Sequence, residues 1–202
     1  MSVERTLWPY DVRAHLGDKP PEEKAKLIAT LGLNPELLKL ERHASAQDIS
    51  NVLGAETFAR LFKFAFVRNP WDFQLSLYHF NMTRTEFPGH LSTIKFRDFE
   101  DYIMSKARVA APQGLQKRYI VDDNDKLMVD FVGRFETLAQ DFGAVCDPLG
   151  LKDVKLAHEN STKHLPWQQS YTLPMFEIVR DVSRADIDYF GYADDPAAYG
   201  VK

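Results

Sequence analysis

At 202 residues and 45% hydrophobic content, the chain can bury a real core and fits one domain, so a single domain is expected over residues 1–202. A formal net charge of −4 excludes the broad basic surface from which a nucleic-acid binder draws its affinity, and any anion site must therefore be local. One cysteine excludes an internal disulfide, no apolar run approaches the roughly 18 to 20 residues of a membrane span, and the N-terminus lacks a signal-peptide core, so the chain reads as soluble and cytoplasmic, at most peripheral to a membrane.

Residues 1–20 carry Trp8, Pro9 and Tyr10 without periodicity and read as an extended arm packed by its aromatics. A charged helix is predicted from Glu22 to Leu31, stopped by Gly32, with a short second one from Asn34 and Pro35. His43 stands in ERHASAQDI just ahead of Ser45, which can cap a helix with Asp48 three residues on and Gly54 at the far end. On spacing alone such a histidine is more often structural than catalytic.

The stretch Phe62 to Phe80 reads as a strand feeding a helix. Phe62 to Val67 is short, aromatic and bounded by a turn signal. Asn69 can cap the helix, Pro70 suits its first position, and Asp72 complements the positive end of the dipole. Trp71, Leu75 and Tyr78 form one apolar stripe and Phe73, Leu77 and Phe80 a second, leaving a polar strip of Asn69, Asp72, Ser76 and His79 beside Arg68. In open α/β sheets ligands sit beyond the carboxyl ends of the strands, where a helix N-terminus favours an anion, so Arg68 and Ser76 could grip a phosphate. Spacing allows equally that Arg68 is an ion-pair partner and Ser76 incidental.

Further on, Phe87 to Lys95 reads as a Pro- and Gly-containing loop, and Phe96, Phe99, Tyr102 and Ile103 mark an amphipathic helix ending near Lys106. Arg108 to Gly114 reads as a second loop. Leu115 to Val121 and Lys126 to Gly133 look like strands around the turn Asp122 to Asp125, which lacks the glycine and terminal glutamate of a calcium loop and reads as solvated. Val132 to Phe142 repeats the strand-to-helix pattern, with Arg134 at the strand end, where nucleotide binding or pairing with Glu136 or Asp141 would explain it equally well. Cys146 falls in an apolar helical stretch and reads as a small buried side chain. His158 and His164 lack a carboxylate or thiolate at ligand spacing, so no metal is expected. Thr172 can cap a final helix from Leu173 and Pro174 whose Met175, Ile178, Val179 and Val182 face a core, ending in DIDYFGY.

The string VRNPWDFQLSLY resembles the 3′-phosphate motif of the carbohydrate sulfotransferases that use 3′-phosphoadenosine 5′-phosphosulfate, in which an arginine before Asn-Pro and a serine eight residues later hold the 3′-phosphate. Here these are Arg68 and Ser76, with Phe73 where the family often has a second arginine. VGRFETLAQDF, the polar His158 to Ser161 and the terminal DIDYFGY resemble further family segments in family order, so that the likeness covers about residues 40–192. The resemblance implies a three-layer α/β domain, helix-rich, with a small mainly parallel sheet like that of the P-loop nucleotide kinases. It implies transfer of a sulfonate group to a hydroxyl, of a carbohydrate or another acceptor, with Arg134 as a further nucleotide-binding residue. Some family members place a histidine base some two dozen residues ahead of the arginine, and His43 stands 25 before Arg68; others use a glutamate. The family begins with a strand, a lysine- and Thr/Ser-containing phosphosulfate loop and a helix, and no such segment is recognisable ahead of residue 40. Relative to the family the chain therefore reads as truncated, either an enzyme without its first segment or a non-catalytic remnant that binds adenosine 3′,5′-bisphosphate or a protein partner. A missing first strand would leave a sheet edge that homodimerisation could cover. A nucleotide kinase is disfavoured, because no Walker-type glycine loop is present.

Overall fold

The computed structural model describes residues 20–30, 44–107, 115–152, 154 and 165–201. Over these residues the chain is helix-rich α/β, with one small sheet of two parallel strands, β1 (Phe64–Val67) and β2 (Phe131–Arg134). The contacts divide it into two compact units, residues 1–66 with 118–159 and residues 67–117 with 160–202.

The first unit carries α1 (Pro21–Thr30), with Glu22 and Glu23 in its first turn, then α2 (Ala46–Leu53) and α3 (Ala55–Arg60). The box at the start of α2 forms as its spacing predicts. Ser45 Oγ accepts from the Asp48 amide at 3.1 Å, and Asp48 accepts from the Ser45 amide at 2.9 Å. Gly54, at φ +78°, ends α2, and α3 follows at once, a helix that nothing in the local pattern announced.

β1 is shorter than the expected Phe62 to Val67, and Lys63 ties its approach to β2. The Lys63 amide and ammonium both meet the Asp130 carboxylate, at 2.7 and 2.8 Å. At Gly133 a Cβ would overlap the Phe66 ring and lie 3.1 Å from the Asp141 Cβ, so the close approach requires glycine. After β2 a 3-10 turn (Phe135–Thr137) leads into α7 (Leu138–Cys146), whose Leu138, Phe142, Val145 and Cys146 are buried. Burial pushes the Cys146 thiol up and keeps it protonated.

Of the two expected strand-like runs, the second holds only at its end, where Phe131 to Gly133 enter β2, and the first is a correction. Leu115 to Val121 contains a 3-10 turn (Lys117–Tyr119), and its only ladder contact among the described residues is a single antiparallel bridge, Val121 with Leu127. The reason is the turn between them. Asp122 Oδ1 accepts both the Asn124 and the Lys126 amides at 2.9 Å, and Asp125 takes φ +61°, so side-chain bonds supplant ladder bonds.

The second unit is built around α4 (Pro70–Thr83), packed against α6 (Phe99–Lys106) and α8 (Leu173–Val182). The first predicted stripe of α4, Trp71, Leu75 and Tyr78, is buried, whereas Phe73, Leu77 and Phe80 are only half-buried. Gln74 fills the difference, a buried amide that accepts from the Tyr102 hydroxyl at 3.4 Å. Trp71 is the centre of this core. It stacks on Phe176 at 4.2 Å between ring centroids and on Trp167 at 5.9 Å, and its indole N–H donates to the Phe176 carbonyl at 3.0 Å.

Two further expectations change here. The loop expected from Phe87 to Lys95 contains α5 (Pro88–Thr93), started by a proline at its first position and held by His90 Nδ1, 2.8 Å from the Asn81 carbonyl. The single final helix is two, α8 and α9 (Arg184–Phe190), because Ser183 departs from helical geometry at φ −108°, ψ 14°. Thr172 makes no side-chain cap bond, while Met175 and Val179 are buried as expected, with Ile178 and Val182 half-buried. Among the described residues no helix is long and apolar enough to cross a membrane.

One lysine of this unit yields a pH prediction. Lys106, in the last turn of α6, lies over the Tyr102 ring at 4.3 Å, and burial pulls its ammonium from 10.5 down to about 8. Between those values the folded chain holds it neutral while the unfolded chain protonates it, so stability rises with pH across that window. Urea unfolding of the unmodified chain and of Lys106→Met at pH 7.5 and 10 should show the difference between them moving by about 1–2 kcal/mol in favour of the lysine at the higher pH. A difference that does not change with pH contradicts this.

Candidate functional site

Arg68 stands between the last residue of β1 and the cap of α4. One side chain holds its backbone on both sides. Gln116 Oε1 accepts the Arg68 N–H at 2.8 Å, and Gln116 Nε2 donates to the Arg68 carbonyl at 2.7 Å. Those partners permit a single orientation of the amide, since an N–H needs an acceptor and a C=O a donor. Arg68 Nε donates to Asp72 Oδ2 at 2.5 Å, in an i,i+4 pair whose side chains are 19% and 17% exposed.

Asn69 closes the helix start. Its Oδ1 accepts the Trp71 and Asp72 amides at 3.1 and 3.3 Å, and its Nδ2 donates to the Tyr199 hydroxyl at 3.3 Å. Ser76 follows Asp72 by one more turn and is half-buried. Asp72 and Ser76 thus share one face of α4, and Arg68, just ahead of the cap, pairs with Asp72 on it. The ion-pair alternative for Arg68 is realised, and its partner is the Asp72 carboxylate of the same strip.

The loop that supplies Gln116 is itself anchored. Asp186, 2% exposed, accepts the Gln116 amide on Oδ2 and the Lys117 amide on Oδ1, each at 2.8 Å. Burial pushes its carboxyl up, against the downward pull of the two amides. The Lys117 ammonium lies 4.9 Å from the centroid of the Tyr189 ring. Within DIDYFGY, Asp186 therefore faces inward with Ile187 and Phe190, and Gly191, left-handed at φ +66°, ends the helix while the Tyr192 amide returns to the Ile187 carbonyl at 3.1 Å. Neither Gln116 nor Asp186 stood out in the sequence as a site residue. Gln116 carries no local signal, whereas Asp186 sits four residues before Phe190 on an apolar face, where an acidic residue calls for buried partners.

Arg134 belongs to the first unit. Its amide donates to Asp141 Oδ2 at 2.6 Å, and the same oxygen accepts from the Thr137 hydroxyl at 2.8 Å, so Asp141 secures the backbone at the end of β2. Arg68, just ahead of the Asn69 cap, and Ser76, on α4, both belong to the second unit. His43, His158 and Ser161 lie outside the described residues. No family model matches this chain, and no curated protein or solved structure matches it either.

Proposed function

We propose that the chain is a sulfotransferase of the carbohydrate type, in which the start of α4 holds the 3′-phosphate of 3′-phosphoadenosine 5′-phosphosulfate. The observation that carries this reading is the placement of Arg68. It is fixed at the carboxyl end of a parallel strand by Gln116 and paired with Asp72, one turn before the half-buried Ser76 on α4. A guanidinium and a hydroxyl are groups that a phosphate dianion needs, and the positive end of the α4 dipole favours its charge. The fold would then be the three-layer α/β arrangement of that family, with β1 and β2 as two of its strands.

In the reaction, the acceptor hydroxyl oxygen attacks sulfur in line. The bond from sulfur to the 5′-phosphate oxygen breaks, adenosine 3′,5′-bisphosphate leaves with the electron pair, and the hydroxyl proton passes to a base, the role proposed for His43. Arg68 and Ser76 bind and orient the donor without touching the reacting atoms. Arg134 is proposed as a further contact to the nucleotide.

Calorimetric titration separates the 3′-phosphate from the rest of the ligand. The chain should bind adenosine 3′,5′-bisphosphate weakly but measurably, and adenosine 5′-monophosphate about 10- to 150-fold less well, the loss expected when charge-assisted hydrogen bonds of about 1.5–3 kcal/mol are removed. Equal affinity for the two, or none for the bisphosphate, removes the proposal.

A further inference from the structure

Two successive steps connect a buried carboxylate to the proposed phosphate-binding arginine. Asp186 grips the backbone amides of Gln116 and Lys117, and the Gln116 side chain in turn grips the amide and the carbonyl of Arg68, all at 2.7–2.8 Å. Every one of these groups belongs to the second unit, and residues 68, 116 and 186 come from three separate stretches of sequence. The direction of a side chain follows from the backbone that carries it, and a guanidinium meets a phosphate productively only within about 0.5 Å of the right place. With both backbone groups of Arg68 bonded to one amide, the backbone that carries its side chain is tied to the position of that amide. The amide in turn depends on the two bonds from Asp186, because the loop at Gln116 is otherwise an irregular segment entering a single 3-10 turn.

We propose that Asp186 is a positioning residue for the anion site, acting on Arg68 through Gln116 and never touching the ligand. The proposal rests on the reading of Arg68 as the phosphate-binding residue and adds to it the group that sets the site's geometry. Asp186→Asn tests it with little change of volume. An asparagine can accept one of the two amides, but its NH2 group opposes the other, so the Gln116 loop loosens while the core around Ile187 and Phe190 keeps its shape. Gln116→Ala removes the next step and leaves the buried carboxylate untouched.

The experiment uses the full chain, the two single variants and the double variant, with two readouts: amide hydrogen exchange at Arg68 in the free protein, and calorimetric affinity for adenosine 3′,5′-bisphosphate. Each single variant should speed exchange at Arg68 by about tenfold or more and weaken binding by about 3- to 10-fold. The double variant should bind no worse than the weaker single one, since both act through one path. Should Asp186→Asn fail to fold, Gln116→Ala still tests the step to Arg68. Scalar couplings across the bonds from the Gln116 and Lys117 amides to the Asp186 carboxylate, measured in the unmodified chain, then test the first step.

Effects that multiply in the double variant, or a folded single variant with unchanged affinity, overturn the positioning role. An unchanged Arg68 amide overturns the relay whether or not nucleotide binds. A chain whose Arg68 amide responds as expected but which binds no bisphosphate overturns the functional reading, and the relay's part in binding falls with it.

Discussion

Replacing Trp71 by alanine should destabilise the second unit by about 3–5 kcal/mol, the range for removing a large buried aromatic from a packed core. Trp71 is 0% exposed, stacks on the rings of Phe176 and Trp167, and carries the indole bond to the Phe176 carbonyl. The substitution leaves a cavity shared by α4, α8 and the turn at Trp167–Gln169, so relaxation of any one element cannot fill it. Single domains hold about 5–15 kcal/mol in all, so the loss would show as a large fall in the urea midpoint. Trp71→Phe, which keeps a ring and loses the N–H, should cost markedly less. Equal losses for the two would mean that the hydrogen bond, and not the packing, dominates.

Trp71 was also the most readable part of the chain, and the reason is locality. The cap at Asn69, the proline at position one and the stripe at Trp71, Leu75 and Tyr78 all lie within ten residues, as does the capping box of Ser45 and Asp48. Elements marked by weak or contrary local signals were missed. α5 is only six residues long and contains a glycine and a proline, and the break between α8 and α9 falls at a serine, which carries no breaker signal.

The candidate site divides the same way. Arg68 and Ser76 were legible from a short motif, whereas Gln116 is 48 residues from Arg68, and Asp186 is 70 from Gln116. Contacts at such separations leave no periodicity to read, and the single trace was an acidic residue in step with Phe190. Asp72 was assigned to the helix dipole and to the polar strip beside Arg68, but not as the ion-pair partner of Arg68, a role that its i,i+4 spacing could have suggested.

The second large effect concerns binding. Arg68→Ala should weaken adenosine 3′,5′-bisphosphate by about 10- to 150-fold, since a charged hydrogen-bond donor to a phosphate contributes about 1.5–3 kcal/mol. Ser76→Ala should weaken it less, because its donor is neutral. Arg68→Ala also leaves Asp72 without its ion-pair partner, so a thermal melt of each variant must accompany the titration. Arg68→Ala that remains folded and binds as tightly as the unmodified chain would assign Arg68 to structure alone.

The central claim, that Arg68 and Ser76 hold a 3′-phosphate, is tested most directly by following the Arg68 Nε–H and the Ser76 backbone amide in a nitrogen–proton correlation spectrum as nucleotide is added. The account predicts that both resonances shift saturably with adenosine 3′,5′-bisphosphate and shift far less with adenosine 5′-monophosphate at the same concentrations. Saturable shifts confined to other parts of the chain, or identical responses to the two nucleotides, would contradict it.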